Sequence, residues 1–249
     1  MLRNVNKVLL YENPAALAAA AAEQIEVGIA LALQARGRYL LALSGGSTPQ
    51  PLFERLATAP FRERIPWDSV LLFWGDERCV PPDAAGSNYG QVKQVLLDRL
   101  ETLPPENVFP MRGELSPAEA ARDYTEQLRQ AAGAPDLFPR MDLTLLGMGE
   151  DGHTASLFPG PLPDGALTRP VVPVTADYGD RPADRVTLTP MVLNASRQVI
   201  FLVTGKAKAK MVANILGPEG EPWQYPAGRI RPEDGEVTWL LDRDAAAML

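Results

Sequence analysis

The sequence predicts an α/β fold, a single domain over residues 1–249 built on a doubly wound, mostly parallel sheet. Apolar runs at 40–43 and 199–203 are short and continuous, which is typical of strands buried on both faces. Stretches of helical pattern separate these runs, and such alternation favours parallel strands joined by crossover helices. Regular elements resume after the Pro- and Gly-rich stretches at 158–173 and 217–232, so we interpret those stretches as ordered loops.

The same patterns give the expected elements in chain order. We expect strands over 5–11, 38–43, 69–74, 141–146, 184–189, 197–203 and 236–241, and helices over 14–36, 49–58, 88–100, 117–132, 205–216 and at the C-terminal end. Asn13 can cap the first helix, Pro14 suits its first position and Gly37 suits its end. Glu23 and Glu26 interrupt its apolar stretch, which favours a soluble helix over a membrane span.

The composition limits the classes of function. A net charge of −7 argues against a general nucleic-acid binder and against an anionic-membrane binder, since both need a basic face. Residues 1–10 lack a secretory apolar region, and a single cysteine, Cys79, forms no intrachain disulfide, so we expect a cytoplasmic protein. With one histidine and one cysteine, a zinc site is not expected. We expect a small-molecule substrate and no obligatory protein partner.

The single histidine, His153, is the only candidate for imidazole acid–base chemistry. It follows the predicted strand 141–146 closely, and open α/β sheets bind ligands just beyond the carboxyl ends of their strands. Asp151 is the nearest residue in sequence that can orient its ring. The alternative is a histidine that only caps or packs a turn.

A second strand is followed by a glycine-rich loop, Ser44-Gly45-Gly46-Ser47-Thr48-Pro49. Its glycines let the backbone approach a ligand closely. We expect Ser47 or Thr48 to cap the next helix, with Pro49 in its first turn, so that free N–H groups face an anion. The alternative is a capped turn without a ligand.

Two cationic side chains follow further strands. We expect the carboxylates of Asp76 and Glu77 to hold the guanidinium of Arg78, which can then bind a phosphate or a carboxylate in two-pronged fashion; the alternative is a surface ion pair. Lys206 lies at a strand–helix junction and is expected to point into the cleft. Lys208 and Lys210 are expected on a solvated helix face.

A formal Gly-x-Gly-x-x-Gly at Gly147, Gly149 and Gly152 raises a dinucleotide site. That fingerprint requires a sustained helix directly afterwards. Pro159 and the prolines that follow it prevent such a helix, so no nucleotide cofactor is expected. A magnesium site on Asp76, Glu77 and Asp151 is disfavoured because Arg78 competes for the carboxylates.

In combination, these motifs resemble the 6-phosphogluconolactonase family over nearly the whole chain. The matching stretches are Leu43-Ser-Gly-Gly-Ser-Thr-Pro49, Trp74-Gly-Asp-Glu-Arg78, Ser87-Asn-Tyr89, Gly147-Met-Gly-Glu-Asp-Gly-His-Thr-Ala-Ser-Leu-Phe-Pro-Gly160, Arg185-Val-Thr-Leu-Thr189 and Gly205-Lys-Ala-Lys-Ala209. The resemblance implies a Rossmann-like three-layer fold, no cofactor and hydrolysis of 6-phospho-D-glucono-1,5-lactone in the oxidative pentose phosphate pathway. It assigns the general base to His153 and the phosphate contacts to the 44–48 loop, Arg78 and Lys206. The chain departs from the pattern at Gly86, where an acidic residue is expected.

A lactone is an activated ester, so a positioned base and a water suffice for its hydrolysis. We expect His153 to deprotonate the water and then protonate the ring oxygen, with loop N–H groups or Arg78 stabilising the oxyanion. The main rival is a glucosamine-6-phosphate deaminase or isomerase. Those enzymes resemble one another in having a tyrosine at the position of Arg78 and a glutamate at the position of Phe158. A non-catalytic sugar-phosphate sensor would need the anion loops but no base.

Overall fold

The computed structural model describes residues 7–132, 138–176 and 182–249. The strands in these ranges are β1 (Lys7–Tyr11), β2 (Tyr39–Leu43), β3 (Val70–Trp74), β4 (Asp76–Arg78), β5 (Leu143–Leu146), β6 (Val171–Thr175), β7 (Asp184–Leu188), β8 (Gln198–Val203) and β9 (Glu236–Asp242). The α-helices are α1 (Pro14–Arg36), α2 (Gln50–Leu56), α3 (Phe61–Arg64), α4 (Asn88–Val95), α5 (Pro117–Ala132), α6 (Pro190–Leu193) and α7 (Ala209–Leu216).

Six of these strands form one fully parallel sheet in the order β1-β9-β8-β5-β2-β3. The central strands β2 and β5 are buried along their whole length, so both faces of the sheet are covered. Helices connect the successive strands of this sheet, as in other open α/β folds. The predicted fold class is confirmed.

A smaller antiparallel sheet, in the order β4-β7-β6, adjoins the end of β3. Strands β4 and β6 were not predicted from the sequence. The three residues of β4 are all charged and carry no apolar alternation. β6 contains Pro173, which cannot donate to a ladder, and β6 is accordingly an edge strand.

The predicted C-terminal helix is wrong. After β9 the chain forms successive turns, with the N–H of Ala247 on the carbonyl of Asp244 and that of Leu249 on Ala246. The carboxylate of Asp242 binds the N–H of Ala245 at 2.8 Å and that of Gly205 at 3.0 Å. Asp242 therefore joins the C-terminal turn to the loop after β8 instead of capping a helix.

The other predicted elements are present with shifted ends. Residues 5 and 6 of the first predicted strand lie outside the described residues. The predicted helix at 88–100 ends as α4 at Val95 and is followed by a 3₁₀ helix, Leu97–Arg99. The predicted helix at 205–216 begins with a 3₁₀ helix, Lys206–Lys208, before α7.

Helix α1 has the predicted ends. The side chain of Asn13 accepts from the N–H of Ala16 at 2.9 Å, and Gly37 ends the helix with φ of 73°. By length and composition alone α1 could cross a membrane. Its buried residues face the protein core, as expected of a core helix; they are Leu17, Ala18, Ala21, Ala22, Ile25, Ile29 and Ala32.

The order of the strands reverses between β2 and β5. From β2 the chain continues to β3 on one side, whereas from β5 it continues to β8 on the other. Connections that leave in opposite directions open a crevice beyond the carboxyl ends of the two strands. The glycine-rich loop after β2 and the histidine loop after β5 border this crevice.

Tyr124 of α5 fixes the end of β3 beside the crevice. β3 lies at the edge of the sheet, so Trp74 has backbone groups without a strand partner on that side. The Tyr124 hydroxyl is buried; it accepts from the N–H of Trp74 at 2.8 Å and donates to its carbonyl at 3.2 Å. One side chain thus satisfies both groups.

We predict that Tyr124→Phe lowers the free energy of unfolding by about 1–3 kcal/mol, because it leaves both groups of Trp74 buried without a partner. The measurement is chemical denaturation monitored by circular dichroism. The control is Tyr11→Phe, at a half-buried position of the largely exposed edge strand β1, with an expected change below about 0.5 kcal/mol. Equal effects of the two substitutions would contradict this role of Tyr124.

Candidate active site

Four loops meet at the carboxyl end of the parallel sheet. They follow β8, β5, β2 and β3, which are consecutive in the sheet. A Cβ added to Gly147, in the loop after β5, would lie 3.9 Å from Oγ of Ser44, in the loop after β2. The sheet therefore brings together the loops in which the sequence analysis placed its candidate residues.

His153 and Asp151 form a directly bonded pair. Nδ1 of His153 lies 2.6 Å from Oδ1 of Asp151, and the same oxygen accepts the N–H of His153 at 3.1 Å. The His153 side chain is 19% exposed. The Asp151 carboxylate fixes the ring orientation through Nδ1, so Nε2 is the nitrogen that would act as a base.

Glycines allow the histidine loop its tight shape. A Cβ on Gly149 would overlap Nδ1 of His153 and Oδ1 of Asp151. Gly152 has φ of 83°, and its carbonyl accepts the N–H of Ala227 at 3.0 Å. Two glycines of the formal dinucleotide fingerprint, Gly149 and Gly152, thus allow the loop conformation that holds the His153–Asp151 pair. No sustained helix follows them: residues 154–158 form a short turn with an isolated bridge.

The glycine-rich loop after β2 presents unused N–H groups. Gly45, Gly46, Ser47 and Thr48 donate no backbone hydrogen bond to any residue in the described ranges. Gly46 has φ of 92°. The expected cap on the next helix is wrong: α2 begins at Gln50 without a side-chain cap, because the chain already turns at Pro49.

The arrangement around Arg78 differs from the prediction. Glu77 makes no contact with the guanidinium; its carboxylate accepts the N–H groups of Asn88 and Tyr89, both at 2.7 Å, and the hydroxyl of Ser87 at 3.1 Å. Glu77 therefore caps α4. Nη1 of Arg78 donates instead to the carbonyl of Gly86 at 2.6 Å.

Asp76 forms hydrogen bonds with two other segments of the site. Its Oδ2 accepts the hydroxyl of Ser156 at 2.7 Å, and Nδ2 of Asn88 donates to its carbonyl at 2.9 Å. Asn88 lies against the glycine-rich loop, because a Cβ on Gly45 would overlap its side chain. Ser156 and Asn88 were missed as candidates; only their places in the quoted motifs pointed to them.

Arg185 is a further cation that the sequence analysis did not single out. It is 3% exposed, and in the antiparallel register of β4 and β7 it lies opposite Arg78. Its guanidinium lies 5.4 Å above the ring of Phe158, and that ring lies 5.0 Å from the ring of His153. The signal available in the sequence was an arginine at the start of a predicted strand, which is not specific.

Of the three lysines after β8, only Lys208 differs from its predicted exposure, and Lys210 is exposed as predicted. Lys206 is exposed, whereas Lys208, predicted on a solvated face, is half-buried. Both lie on the 3₁₀ helix that precedes α7. The structure thus brings two lysines to this edge of the sheet, with Lys208 the more enclosed.

The carboxylates near the site are engaged with protein groups. Asp76 holds Ser156, Glu77 holds the start of α4 and Asp151 holds His153. Within the described ranges, no group of three or more His, Cys, Asp or Glu side chains is placed to bind a metal ion.

The environment of Glu77 opposes its ionisation. Burial raises the pKa of Glu77 to about 6 from an ordinary 4.5, and this outweighs the N–H groups of Tyr89, Asn88 and Arg78, which lower it. Between these two pH values the folded protein holds a proton that the unfolded chain releases. The free energy of unfolding therefore decreases as the pH rises through this window.

We predict that this decrease amounts to about 2 kcal/mol in the wild-type protein and is absent in Glu77→Gln, which does not titrate. The measurement is urea denaturation at several pH values from about 4.5 to 6.5, compared as the difference between the two proteins. Glu106→Gln, at an exposed position, serves as the control and should follow the wild type. A difference that is constant with pH would contradict the assigned burial effect.

The chain matches the family model described as "Glucosamine-6-phosphate isomerases/6-phosphogluconolactonase" over residues 12–239. It is 38% identical to a 6-phosphogluconolactonase of Nostoc sp. over 94% of each chain. The crystal structure of 6-phosphogluconolactonase from Thermotoga maritima covers 96% of this chain with a TM-score of 0.81 at 32% identity, and all of that chain is matched.

A monomeric glucosamine-6-phosphate deaminase also matches, with a TM-score of 0.79 at 22% identity over 98% of this chain and 100% of that chain. That likeness shows a shared fold and no more. The family match and the Nostoc relative go further, because the likeness is one of sequence: the model matches residues 12–239 and the relative is 38% identical over 94% of each chain. The chain therefore belongs to the family of glucosamine-6-phosphate isomerases and 6-phosphogluconolactonases.

Proposed function

We propose that the protein hydrolyses 6-phospho-D-glucono-1,5-lactone to 6-phospho-D-gluconate, as the names of its relatives suggest. The observation that carries the proposal is the His153–Asp151 pair beside the aromatic ring of Phe158. The pair provides an oriented base. By resemblance, Phe158 stands at the sequence position where the rival isomerases have a glutamate, so the carboxylate that they need is absent at this position.

In the proposed reaction Nε2 of His153 takes a proton from a water that attacks the lactone carbonyl. The carbonyl oxygen becomes an oxyanion in the tetrahedral intermediate. When the bond between the carbonyl carbon and the ring oxygen breaks, His153 returns the proton to the ring oxygen. Asp151 stabilises the imidazolium between these steps through Nδ1. One water is consumed and no redox step is needed.

The N–H groups of the glycine-rich loop are our candidates for the oxyanion. Gly45, Gly46, Ser47 and Thr48 point none of their backbone donors at described protein acceptors, and Ser44 lies beside the histidine loop. Preorganised donors of this kind stabilise developing negative charge without reorganisation. Arg78 is the alternative donor, since its guanidinium is half-buried at the same edge.

The phosphate of the substrate needs a positive region in a protein of net charge −7. We assign this role to Arg78, Arg185 and a lysine after β8. Because Arg78 and Arg185 are partners in the β4–β7 ladder, their charges lie side by side. Lys206 is the lysine predicted from sequence; the half-buried Lys208 is the competing assignment, and kinetics distinguish the two.

We further propose one catalytic domain over residues 1–249, acting in the cytoplasm in the oxidative pentose phosphate pathway. The support for this setting is the nature of the substrate and the single cysteine, which suits a reducing compartment.

We predict that His153→Ala reduces kcat by about 10²–10⁴-fold while leaving the free energy of unfolding nearly unchanged. The assay measures proton release from freshly generated lactone, corrected for spontaneous hydrolysis. Asp151→Asn should give a smaller loss, because the base remains but its orientation and the imidazolium are less supported. Turnover of His153→Ala close to that of the wild type would refute the assignment. Conversion of glucosamine 6-phosphate at a comparable rate would favour the isomerase function.

We predict that Arg78→Ala and Lys206→Ala raise KM for the phosphorylated lactone, with the larger effect at Arg78. The unphosphorylated gluconolactone should respond much less to either change, because it lacks the group that these cations bind. Lys208→Ala, assayed in parallel, tests the competing lysine: if only Lys208→Ala raises KM, the role belongs to Lys208. An equal response of both substrates to all substitutions would show that these cations do not bind the phosphate.

A further inference from the structure

At the amino ends of the strands, on the far side of the sheet from His153, lies a cavity of about 200 Å³. Four of its lining residues are arginines, namely Arg36, Arg38, Arg140 and Arg197, and Asp142 is the one acidic residue among the described residues that line it. The arginines come from the end of α1 and from the segments that precede β2, β5 and β8. An excess of positive charge at one place is unexpected in a protein of net charge −7.

Both carboxylate oxygens of Asp142 already have partners within the fold. Its Oδ1 lies 2.6 Å from Nη2 of Arg36 and 3.3 Å from Nε of Arg197. Its Oδ2 accepts the N–H of Leu40 at 2.9 Å. Asp142 therefore neutralises one of the four guanidiniums and ties three segments together.

Donor groups remain beyond those that the fold uses. Arg140 already donates from Nε and Nη2 to the carbonyls of Ala195 and Asp234, which leaves its Nη1, unpartnered in the described part of the chain, for a ligand. Within the described ranges, Arg38 makes a single long hydrogen bond, from Nη1 to the carbonyl of Ala131 at 3.5 Å. Nε of Arg197 is buried and, although it lies near Asp142, does not have the geometry of a hydrogen bond. Each guanidinium carries five N–H donors, so most of those on Arg38 have no partner among the described residues.

The arginines also repel one another. Burial is the main cause that lowers the pKa of Arg197, and the charges of Arg36 and Arg140 lower it further. A bound anion would offset this repulsion. This lowering agrees with the charges of the described lining residues, four arginines against one aspartate.

We propose that this amino-end cavity binds a small phosphoryl anion through Arg38, Arg140 and Arg197. Guanidiniums match phosphate oxygens in geometry, and a tetrahedral phosphoryl group can accept from several of them at once, whereas a planar carboxylate offers only two oxygens. The volume is below that of pockets for drug-sized ligands, which favours inorganic phosphate, pyrophosphate or one phosphate group of a sugar phosphate over a nucleotide. The site is separate from the crevice at the carboxyl ends of β2 and β5.

Isothermal titration calorimetry tests this proposal in the Arg78→Ala background, which weakens binding of anions at the candidate active site. The probes are inorganic phosphate, pyrophosphate and glucose 6-phosphate, with succinate as a dicarboxylate at equal ionic strength. We expect one of the phosphoryl probes to bind with measurable heat, and the tightest of the three identifies the source of the phosphoryl group. Succinate should bind at least about tenfold more weakly.

Adding Arg38→Ala should weaken that binding at least about tenfold, and Arg38→Lys should weaken it less, since it keeps the charge but loses the fork. Arg62→Ala, which removes an exposed arginine of α3, is the matched control and should leave the affinity unchanged. Arg38 is exposed, so its replacement should not prevent folding. The proposal is overturned if no phosphoryl probe binds, if succinate binds equally well, or if Arg38→Ala has no more effect than Arg62→Ala.

Discussion

The candidate active site depends on the placement of β2 and β5 as parallel neighbours whose chains leave the sheet in opposite directions. This topology puts the N–H groups of the glycine-rich loop and the imidazole of His153 on the two sides of one crevice. Neither loop could hold such a geometry alone, because each is short and rich in glycine. The strands β2 and β5 that precede them are fully buried, and their packing fixes the points at which the two loops begin.

Two buried carboxylates, those of Asp76 and Glu77, fix the loops next to this crevice. The carboxylate of Glu77 accepts from the start of α4, and that of Asp76 accepts from Ser156. These bonds hold the segment that carries Arg78 against its neighbours. The guanidinium of Arg78 donates to the carbonyl of Gly86, and no carboxylate of the described residues forms an ion pair with it. An uncompensated cation can attract a phosphate, whereas one paired with an acid would have to give up that partner first.

Much of this arrangement was predictable from sequence, for reasons of distance along the chain. The His153–Asp151 bond spans two residues and follows from a glycine turn, so the sequence indicated it correctly. The partners of Glu77 lie about ten residues away on α4, and no local pattern specifies which donors a buried carboxylate will meet. Likewise β6 was missed because its proline hides a strand pattern, and the C-terminal helix was predicted in error because the contact of Asp242 with Gly205 is long-range. Arg185 became a candidate only once the ladder placed it beside Arg78.

In our account His153, the one histidine of the chain, is the general base, and its protonation limits hydrolysis at low pH. Because there is no second histidine, protein labelled with ¹³C in its histidine ring gives the NMR signal of His153 alone. The titration of this signal can be compared directly with the pH dependence of kcat/KM for the lactone, which reports ionisations of the free enzyme. Our account predicts that the acidic limb of kcat/KM and the His153 signal share one midpoint, and that both shift together in Asp151→Asn. An acidic limb that titrates where the His153 signal does not change would contradict it.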